Sequence, residues 1–300
     1  MIMFCDDREG MVFRPPSEAN SFILRVTTGC SHNRCTFCQM YKDVTFRLRT
    51  SEEVSWQIQM AARQVPHLRR VFLADGNALV LPTARLLEIL AQLAAVFPKL
   101  SRVTCYGGPR DILAKSDADL RALKAAGLQI IYLGMESGSD PVLTMLNKGA
   151  NAAEMITAGQ KVMASGIKLS VMVILGAGGQ ALSRQHGEET ARAVNAIRPN
   201  MLAALTLMLH EGSELRRQAD EGTFLPLSPY DIMQELQWLM AGLELPRESS
   251  CIFRCNHVSN LLPLAGTLPK DQQRLLAEIA DGMNAVVHRR QGQYNDRGPF

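Results

Sequence analysis

Apolar positions along the chain follow two alternating spacings. Short runs dense in branched and aromatic side chains fall at residues 21–27 (SFILRVT), 70–74, 102–106, 129–133, 168–175 and 201–209. Such runs read as strands. Between them the apolar residues recur at three and four positions, as on one face of a helix. Residues 51–65 are the first such segment, with Ser51 as N-cap and Pro66 beyond its end. Residues 83–97 are the second, with Leu86, Leu87, Leu90, Leu93 and Phe97 on one face. Further helices read at 116–126 before Gly127, after Ser139 with Leu143 and Leu146, at 151–164 before Gly166, and at 183–197 before Pro199. Six β–α alternations imply parallel strands joined by right-handed crossovers. The class is α/β: a partial (βα)6 TIM-like barrel, with an open doubly wound sheet fitting the pattern equally well.

After residue 209 the pattern changes. Residues 230–243 read as helix, 246–269 as irregular and 270–290 as a long helix. The expected organisation is an N-terminal extension over 1–20, a core domain over 21–210 and a C-terminal helical extension over 211–300 that covers the barrel mouth. A long irregular segment inside a folded chain is often functional.

Composition adds limits. The 300 residues are 47% hydrophobic and 20% charged, enough for a large core. The net charge of +3 is too small to argue for nucleic acid. The cluster His288-Arg289-Arg290 reads as a solvated helix end. The start MIMFCDDREG turns charged too soon for a signal peptide, and the apolar run 169–175 is too short to span a bilayer. The expectation is a cytoplasmic protein with no membrane segment.

Seven cysteines remain to be explained: Cys5, Cys30, Cys35, Cys38, Cys105, Cys251 and Cys255. An odd number in a long chain without a secretion signal argues against a disulfide framework. Cys30, Cys35 and Cys38 fall within nine residues, directly after the first strand. Parallel α/β folds gather their chemistry at such strand ends. Zinc is one reading, with His32 as fourth ligand, but zinc sites of this kind usually pair two knuckles. Three closely spaced thiolates suit three corners of an iron–sulfur cubane better, leaving one iron open to a small molecule.

The segment TGCSHNRCTFCQMYK resembles the cluster loop of the radical S-adenosylmethionine (SAM) superfamily. The usual spacing there is Cys-x3-Cys-x2-Cys; this chain reads Cys-x4-Cys-x2-Cys. The resemblance extends over about residues 20–210 and implies a partial (βα)6 barrel. It implies a [4Fe–4S] cluster on Cys30, Cys35 and Cys38, whose open iron SAM chelates through its amino and carboxylate groups. One electron, from a donor such as flavodoxin or ferredoxin, would then cleave SAM to methionine and a 5′-deoxyadenosyl radical. The radical would take hydrogen from a small-molecule substrate.

The resemblance also assigns roles along the chain. Phe37 would contact adenine through its backbone, or simply pack. Asp75-Gly76-Asn77 stands where the family places a Gly-Gly-Glu motif for the SAM amino group; it also reads as an ordinary turn. Glu136 and Ser137, in Gly134-Met135-Glu136-Ser137-Gly138, would contact the SAM ribose and neighbouring polar atoms. Ile174 and Gly176, in Val173-Ile174-Leu175-Gly176-Ala177-Gly178-Gly179, would lie against adenine; a glycine-rich turn is also consistent with chain reversal. Arg110 would meet the methionine carboxylate or a substrate acid, or stand on the surface.

Cys251 and Cys255 would be too few for a second cluster without Cys5 or Cys105, and read as plain cysteines. Arg254, Asn256, His257 and Asn260 form a polar set that would read the substrate, or else a well-bonded structural loop. Two other functions compete: a radical enzyme acting on RNA, and a non-catalytic Fe–S sensor or electron carrier. The chain shows no appended basic module for RNA, and a carrier needs no nucleoside pocket.

Overall fold

The computed structural model describes residues 11–295. Cys5, the first half of the expected N-terminal extension and the side chains of His288, Arg289 and Arg290 lie outside the described residues. The expected first strand is divided in two. Strand β1 (Phe22–Arg25) joins the main sheet, whereas β2 (Thr27–Thr28) pairs antiparallel with β3 (Arg47–Leu48). At the junction the Val26 amide donates to the Ala74 carbonyl at 2.6 Å, and its carbonyl accepts from the Arg49 amide at 3.1 Å. The β2–β3 ladder therefore closes the cysteine-bearing segment into a loop with a paired stem.

Helix α1 (Ser51–Gln64) begins one residue earlier than expected, with Thr50 as its N-cap. The Thr50 hydroxyl accepts from the Glu53 amide at 3.3 Å, and the Glu53 carboxylate accepts from the Thr50 amide at 2.7 Å. This reciprocal box satisfies two amides that the first turn leaves open. Buried Gln57 on α1 covers the outer edge of β1: it accepts from the Arg25 amide at 3.1 Å and donates to the Arg25 carbonyl at 3.0 Å. An edge strand left uncovered would invite pairing with another chain.

The remaining elements run β4 (Arg70–Ala74), α2 (Thr83–Val96), β5 (Arg102–Tyr106), α3 (Pro109–Ala114), α4 (Asp117–Ala125), β6 (Leu128–Glu136), α5 (Asp140–Met145), α6 (Ala152–Ala164), β7 (Lys168–Leu175), α7 (Gly179–Ile197), β8 (Met201–Thr206), α8 (Glu214–Asp220), α9 (Pro229–Ala241), β9 (Cys251–Cys255), β10 (Leu264–Leu268) and α10 (Gln272–Asn295). The fold is α/β with a mostly parallel main sheet of eight strands, as the alternation of patterns implies. No helix among the described residues is long and apolar enough to cross a membrane.

The described chain divides into two compact units. One holds the residues up to Gly134 together with Ala153–Val171; the other holds Met135–Ala152 and the residues from Met172 onward. In the first unit β1, β4, β5 and β6 are parallel neighbours in that order. Their register aligns Ile23, Phe72 and Thr104, and two residues on, Tyr106 with Tyr132. On this face the rings of Phe72, Tyr106 and Tyr132 meet edge to face, the closest pair 5.1 Å apart. The same face buries Glu18, which accepts from the Tyr132 hydroxyl at 2.6 Å and pairs with Arg102 at 3.0 Å. On α2 the buried stripe is Leu86, Ile89, Leu90 and Leu93, continued by Phe97. Leu87 is only half-buried, because the helical turn of 3.6 residues carries it off that stripe.

In the second unit β8 and β9 are parallel, and β9 and β10 form an antiparallel pair, Cys255 opposite Leu264. This corrects the expectation of an irregular segment over 246–269. Cys251, Phe253 and Cys255 are buried while Ile252 and Arg254 are exposed, the alternation of a strand with one face in the core. Two cysteines and an arginine hid that period. Helix α7 starts at Gly179 rather than Ser183, because the glycine turn at Gly176 and Gly179, with φ of 82° and 57°, runs directly into it. Helix α9 packs on α7 where α7 has no side chain: a Cβ on Gly187 would lie 3.1 Å from the Glu235 carbonyl oxygen.

The same closeness marks Gly138, where a Cβ would fall 2.4 Å from the Glu189 carbonyl oxygen and 2.7 Å from the Thr190 Cα. Both are backbone atoms of α7 and neither can rotate away. Gly138→Ala should therefore destabilise the chain by about 1–3 kcal/mol, the usual cost of overpacking. Urea denaturation measures it; an unchanged midpoint would contradict the packing described.

Candidate functional site

In the first unit Cys30, Cys35 and Cys38 lie in the loop closed by β2 and β3, all half-buried and none in a disulfide. Phe37 between them is also half-buried. The base of this loop is fastened to the end of β4. The Asp75 carboxylate accepts from the Gly29 amide at 2.9 Å and pairs with the Arg25 guanidinium at 2.7 Å, both side chains fully buried. Burial pushes the Asp75 carboxyl up, and the Arg25 guanidinium and the Gly29 amide oppose it. Its second oxygen, Oδ1, is buried with no hydrogen-bond partner among the described residues. The Gly76 amide returns a bond to the Gly29 carbonyl at 3.2 Å. A Cβ on Gly76 would lie 2.8 Å from the Cys30 Cβ and 3.2 Å from its sulfur, so only glycine lets Cys30 rest there.

Asn77 completes the fastening. Its amide nitrogen donates to the Ser31 hydroxyl at 3.0 Å and to the Asp111 carboxylate, while its oxygen accepts from the Gly108 amide at 3.0 Å. One side chain thus joins the cysteine loop, the end of β5 and the start of α3. The expected acceptors of a SAM amino group are therefore largely engaged: Asp75 Oδ2 and the Asn77 amide hold the loop itself. Arg110 is exposed in the first turn of α3, beside Asp111. Sequence reasoning passed over Tyr41, which is buried and packs edge-on against Phe13 at 5.6 Å. Burial raises its phenol far above the ordinary range.

Among the described residues, no three His, Cys, Asp or Glu side chains are gathered to hold a single metal ion. A cubane asks for something different, one thiolate to each of three irons. Three half-buried thiols in one stem-closed loop, with a glycine cradle under Cys30, fit that donor set.

In the second unit Glu136 ends β6 with φ of 64°, and its carboxylate pairs with Lys148 at 2.8 Å. Ser137 is fully buried: its hydroxyl bonds to His186 Nδ1 at 2.8 Å and accepts from the Ser139 amide at 2.9 Å. At the end of β7 the Ile174 carbonyl meets His186 Nε2 at 2.9 Å, and the Gly176 amide donates to the Glu235 carboxylate at 2.6 Å. Sequence reasoning missed His186 and Glu235 because each stands among other polar residues in a helical pattern, Gln185 and Glu188 around His186 and Gln234 and Gln237 around Glu235, and nothing local singles it out; only the fold brings them under two strand ends.

The polar set near β9 is divided. Arg254 and Asn256 are exposed. His257 bonds to the Ser259 hydroxyl at 2.8 Å and Asn260 donates to the Ala204 carbonyl at 2.8 Å, so these two build the turn that follows β9. The Ser259 hydroxyl in turn accepts from the Thr206 amide at 3.1 Å, which sets this turn at the C-terminal end of β8. Burial pushes the thiols of Cys251 and Cys105 up to about 12 and that of Cys255 to about 11.

The Arg25–Asp75 pair gives a stability prediction. Arg25→Met leaves a carboxylate buried without its cation and should cost about 3–5 kcal/mol. Adding Asp75→Leu should recover part of that loss, since two apolar side chains avoid the desolvation cost. Chemical denaturation of both variants checks it; a single variant as stable as the parent would show that the pair carries no weight.

A family model described as the radical SAM superfamily matches residues 24–193. No match was found among the curated proteins. Among solved structures, methylornithine synthase (PylB) is 17% identical with a TM-score of 0.52, over 75% of this chain and 63% of that one. The archaeal Methanocaldococcus infernus Elp3 with an N-terminal deletion is 14% identical with a TM-score of 0.51, over 79% of this chain and 56% of that one. The radical SAM methyltransferase TsrM from Kitasatospora setae, with cobalamin and a [4Fe–4S] cluster bound, is 17% identical with a TM-score of 0.53, over 66% and 39%. The chain spans less than two thirds of the length of each of these structures. At these identities the likeness shows the fold, a partial TIM-like barrel. Since the family model covers more than half of the 300 residues, the chain belongs to the radical SAM superfamily of enzymes, which use a [4Fe–4S] cluster and S-adenosylmethionine.

Proposed function

We propose that this enzyme cleaves SAM reductively and uses the resulting 5′-deoxyadenosyl radical to take hydrogen from a small-molecule substrate. The observation that carries the reading is the stem-closed loop with its three half-buried thiols, fastened by Asp75 and Asn77, inside the span matched by the family model. Cys30, Cys35 and Cys38 would hold three irons, leaving the fourth for the amino and carboxylate groups of SAM. When bound, cluster and SAM supply the one-electron cleavage that gives methionine and the radical.

The chain's own residues bind and aim. Glu136 accepts from the ribose hydroxyls, for which a carboxylate with two acceptor oxygens is suited, and Lys148 holds it in place. The backbones at Phe37, Ile174 and Gly176 lie along adenine, and the segment Asp75-Gly76-Asn77 offers Asp75 Oδ1 and its carbonyls to the amino group. Exposed Arg254 and Asn256, with Arg110, contact the substrate, while His257 and Asn260 shape the turn that presents them. A reduced flavodoxin or ferredoxin in the cytoplasm supplies the electron. The near-balanced net charge of +3 supports a small molecule over RNA.

Anaerobic reconstitution should load about four irons per chain, and dithionite with SAM should then yield 5′-deoxyadenosine. The combined Cys30→Ala, Cys35→Ala and Cys38→Ala variant should load none; full loading of that variant would falsify the cluster assignment. Glu136→Ala should keep its iron and lose a charge-assisted hydrogen bond of about 1.5–3 kcal/mol. SAM binding by titration calorimetry should weaken about tenfold or more, and unchanged affinity would remove Glu136 from the site. Arg254→Ala with Asn256→Ala should lower substrate turnover while uncoupled 5′-deoxyadenosine formation persists; normal turnover would free these residues of a substrate role.

A further inference from the structure

Under the ends of β6 and β7 lies a buried polar set that the proposed reaction does not use. Glu235 of α9 is fully buried. Its Oε1 accepts from the Gly176 amide and its Oε2 from the Ser183 hydroxyl, both at 2.6 Å. His186 of α7 stands 3.6 Å from Glu235 Oε1 and bridges the Ile174 carbonyl to the Ser137 hydroxyl. A carbonyl can only accept, so Nε2 carries a proton; in the neutral ring Nδ1 then accepts from Ser137. The Ser137 oxygen keeps a lone pair for the Ser139 amide at 2.9 Å, and Thr190 accepts from the Gly138 amide at 2.9 Å.

A buried carboxylate costs desolvation energy that apolar side chains of the same size avoid. Burial raises Glu235, and His186, Ser183 and Gly176 offset it only in part. The bonds bought at that cost converge on two short backbone stretches, 137–139 and 174–176. The conformations they fix are unusual. Glu136, next to Ser137, has φ of 64°, and Gly176 has φ of 82°. The left-handed region costs an ordinary residue roughly 1–2 kcal/mol, so Glu136 keeps that conformation only where its neighbours hold it. Gly176 is held from the other side as well, since a Cβ there would lie 2.7 Å from Ile232 Cδ1 of α9.

We infer that His186 and Glu235 are positioning residues for the nucleoside half of SAM, setting the direction of Glu136 and the backbone at Ile174–Gly176. The inference rests on the reading that these two strand ends bind the nucleoside. Neither residue touches the nucleoside; each acts through the strand end it holds.

The test uses the full-length, anaerobically reconstituted chain and titration calorimetry with 5′-deoxyadenosine and with SAM, alongside iron content. Glu235→Ala and His186→Ala should weaken 5′-deoxyadenosine binding about tenfold or more at wild-type iron content. Glu235→Gln keeps one acceptor oxygen and should weaken it less. Wild-type affinity in folded, iron-replete Glu235→Ala and His186→Ala overturns the inference. Joint loss of iron and nucleoside binding also overturns it, because that is the signature of a packing role. If Glu235→Ala does not fold, Glu235→Gln and Ser183→Ala, which disturb single bonds, carry the same test, and unchanged affinity in both overturns it. Glu136→Ala run in parallel separates the two layers. If Glu136→Ala and Glu235→Ala both bind normally, the nucleoside does not sit here and the underlying reading fails too. If only Glu136→Ala weakens binding, the positioning inference alone fails.

Discussion

The buried pair of Arg25 and Asp75 is the constraint on which the first unit's site depends. It links the last residue of β1 to the residue after β4, and the same carboxylate oxygen takes the Gly29 amide. The cysteine loop therefore leaves the sheet from a fixed point, one residue before Cys30. Burying two charges is expensive and their attraction only offsets it with good geometry and further hydrogen bonds. The Gly29 amide at 2.9 Å is one such bond, and the Thr27 hydroxyl, which accepts from the Asp75 amide at 3.0 Å, joins the same junction. Hydrophobic packing alone is non-directional. It would bury β1 and β4 side by side without deciding where the loop emerges.

The second unit solves a parallel problem with a different charge. There Glu235, reaching from α9, takes the amide of the glycine turn after β7, as Asp75 takes the amide of Gly29 after β2. In both places a buried carboxylate bonds a glycine amide where that glycine has positive φ, 78° at Gly29 and 82° at Gly176. A glycine turn is conformationally permissive, and a fixed acceptor removes that freedom. The turn then presents its backbone in one orientation.

How much of this was legible in the sequence depended on whether a feature is local. The strands 70–74, 102–106 and 168–175 read to the residue, because each is an apolar run between turn residues. The close spacing of Cys30, Cys35 and Cys38 is likewise local, and the structure keeps all three in one loop. The N-cap was off by one residue, since Thr50 and Ser51 are both good N-caps and only the position of Glu53 decides between them. The β9–β10 hairpin was hidden because its alternation is written in Cys251, Phe253 and Cys255 on the buried side and Arg254 on the other. The pairing of Asp75 Oδ2 with Arg25 was not legible, because the partner lies fifty positions away in the chain. His186 and Glu235 are forty-nine positions apart, and Gly187 reads only as a weak point in a helix until α9 is seen to pack on it.

The longer first gap of the cysteine loop has a local physical account. The residues between Cys30 and Cys35 include Asn33, whose φ of 43° is left-handed. Asparagine tolerates that region better than most side chains because its short amide can bond nearby backbone. Here it does so, donating to the Tyr41 carbonyl at 2.7 Å, while Lys42 donates to the Asn33 carbonyl at 2.9 Å. The gap is thereby tied to the far side of the loop, beyond Cys38, rather than left as slack. Tyr41 is itself anchored, buried and packed on Phe13. The additional residue is thus taken up by one left-handed position with its own hydrogen bonds. The fastening at Gly29, Gly76 and Asn77 lies on the other side of Cys30 and meets the gap only at Ser31, so the gap's length leaves the loop's attachment to β4 unchanged.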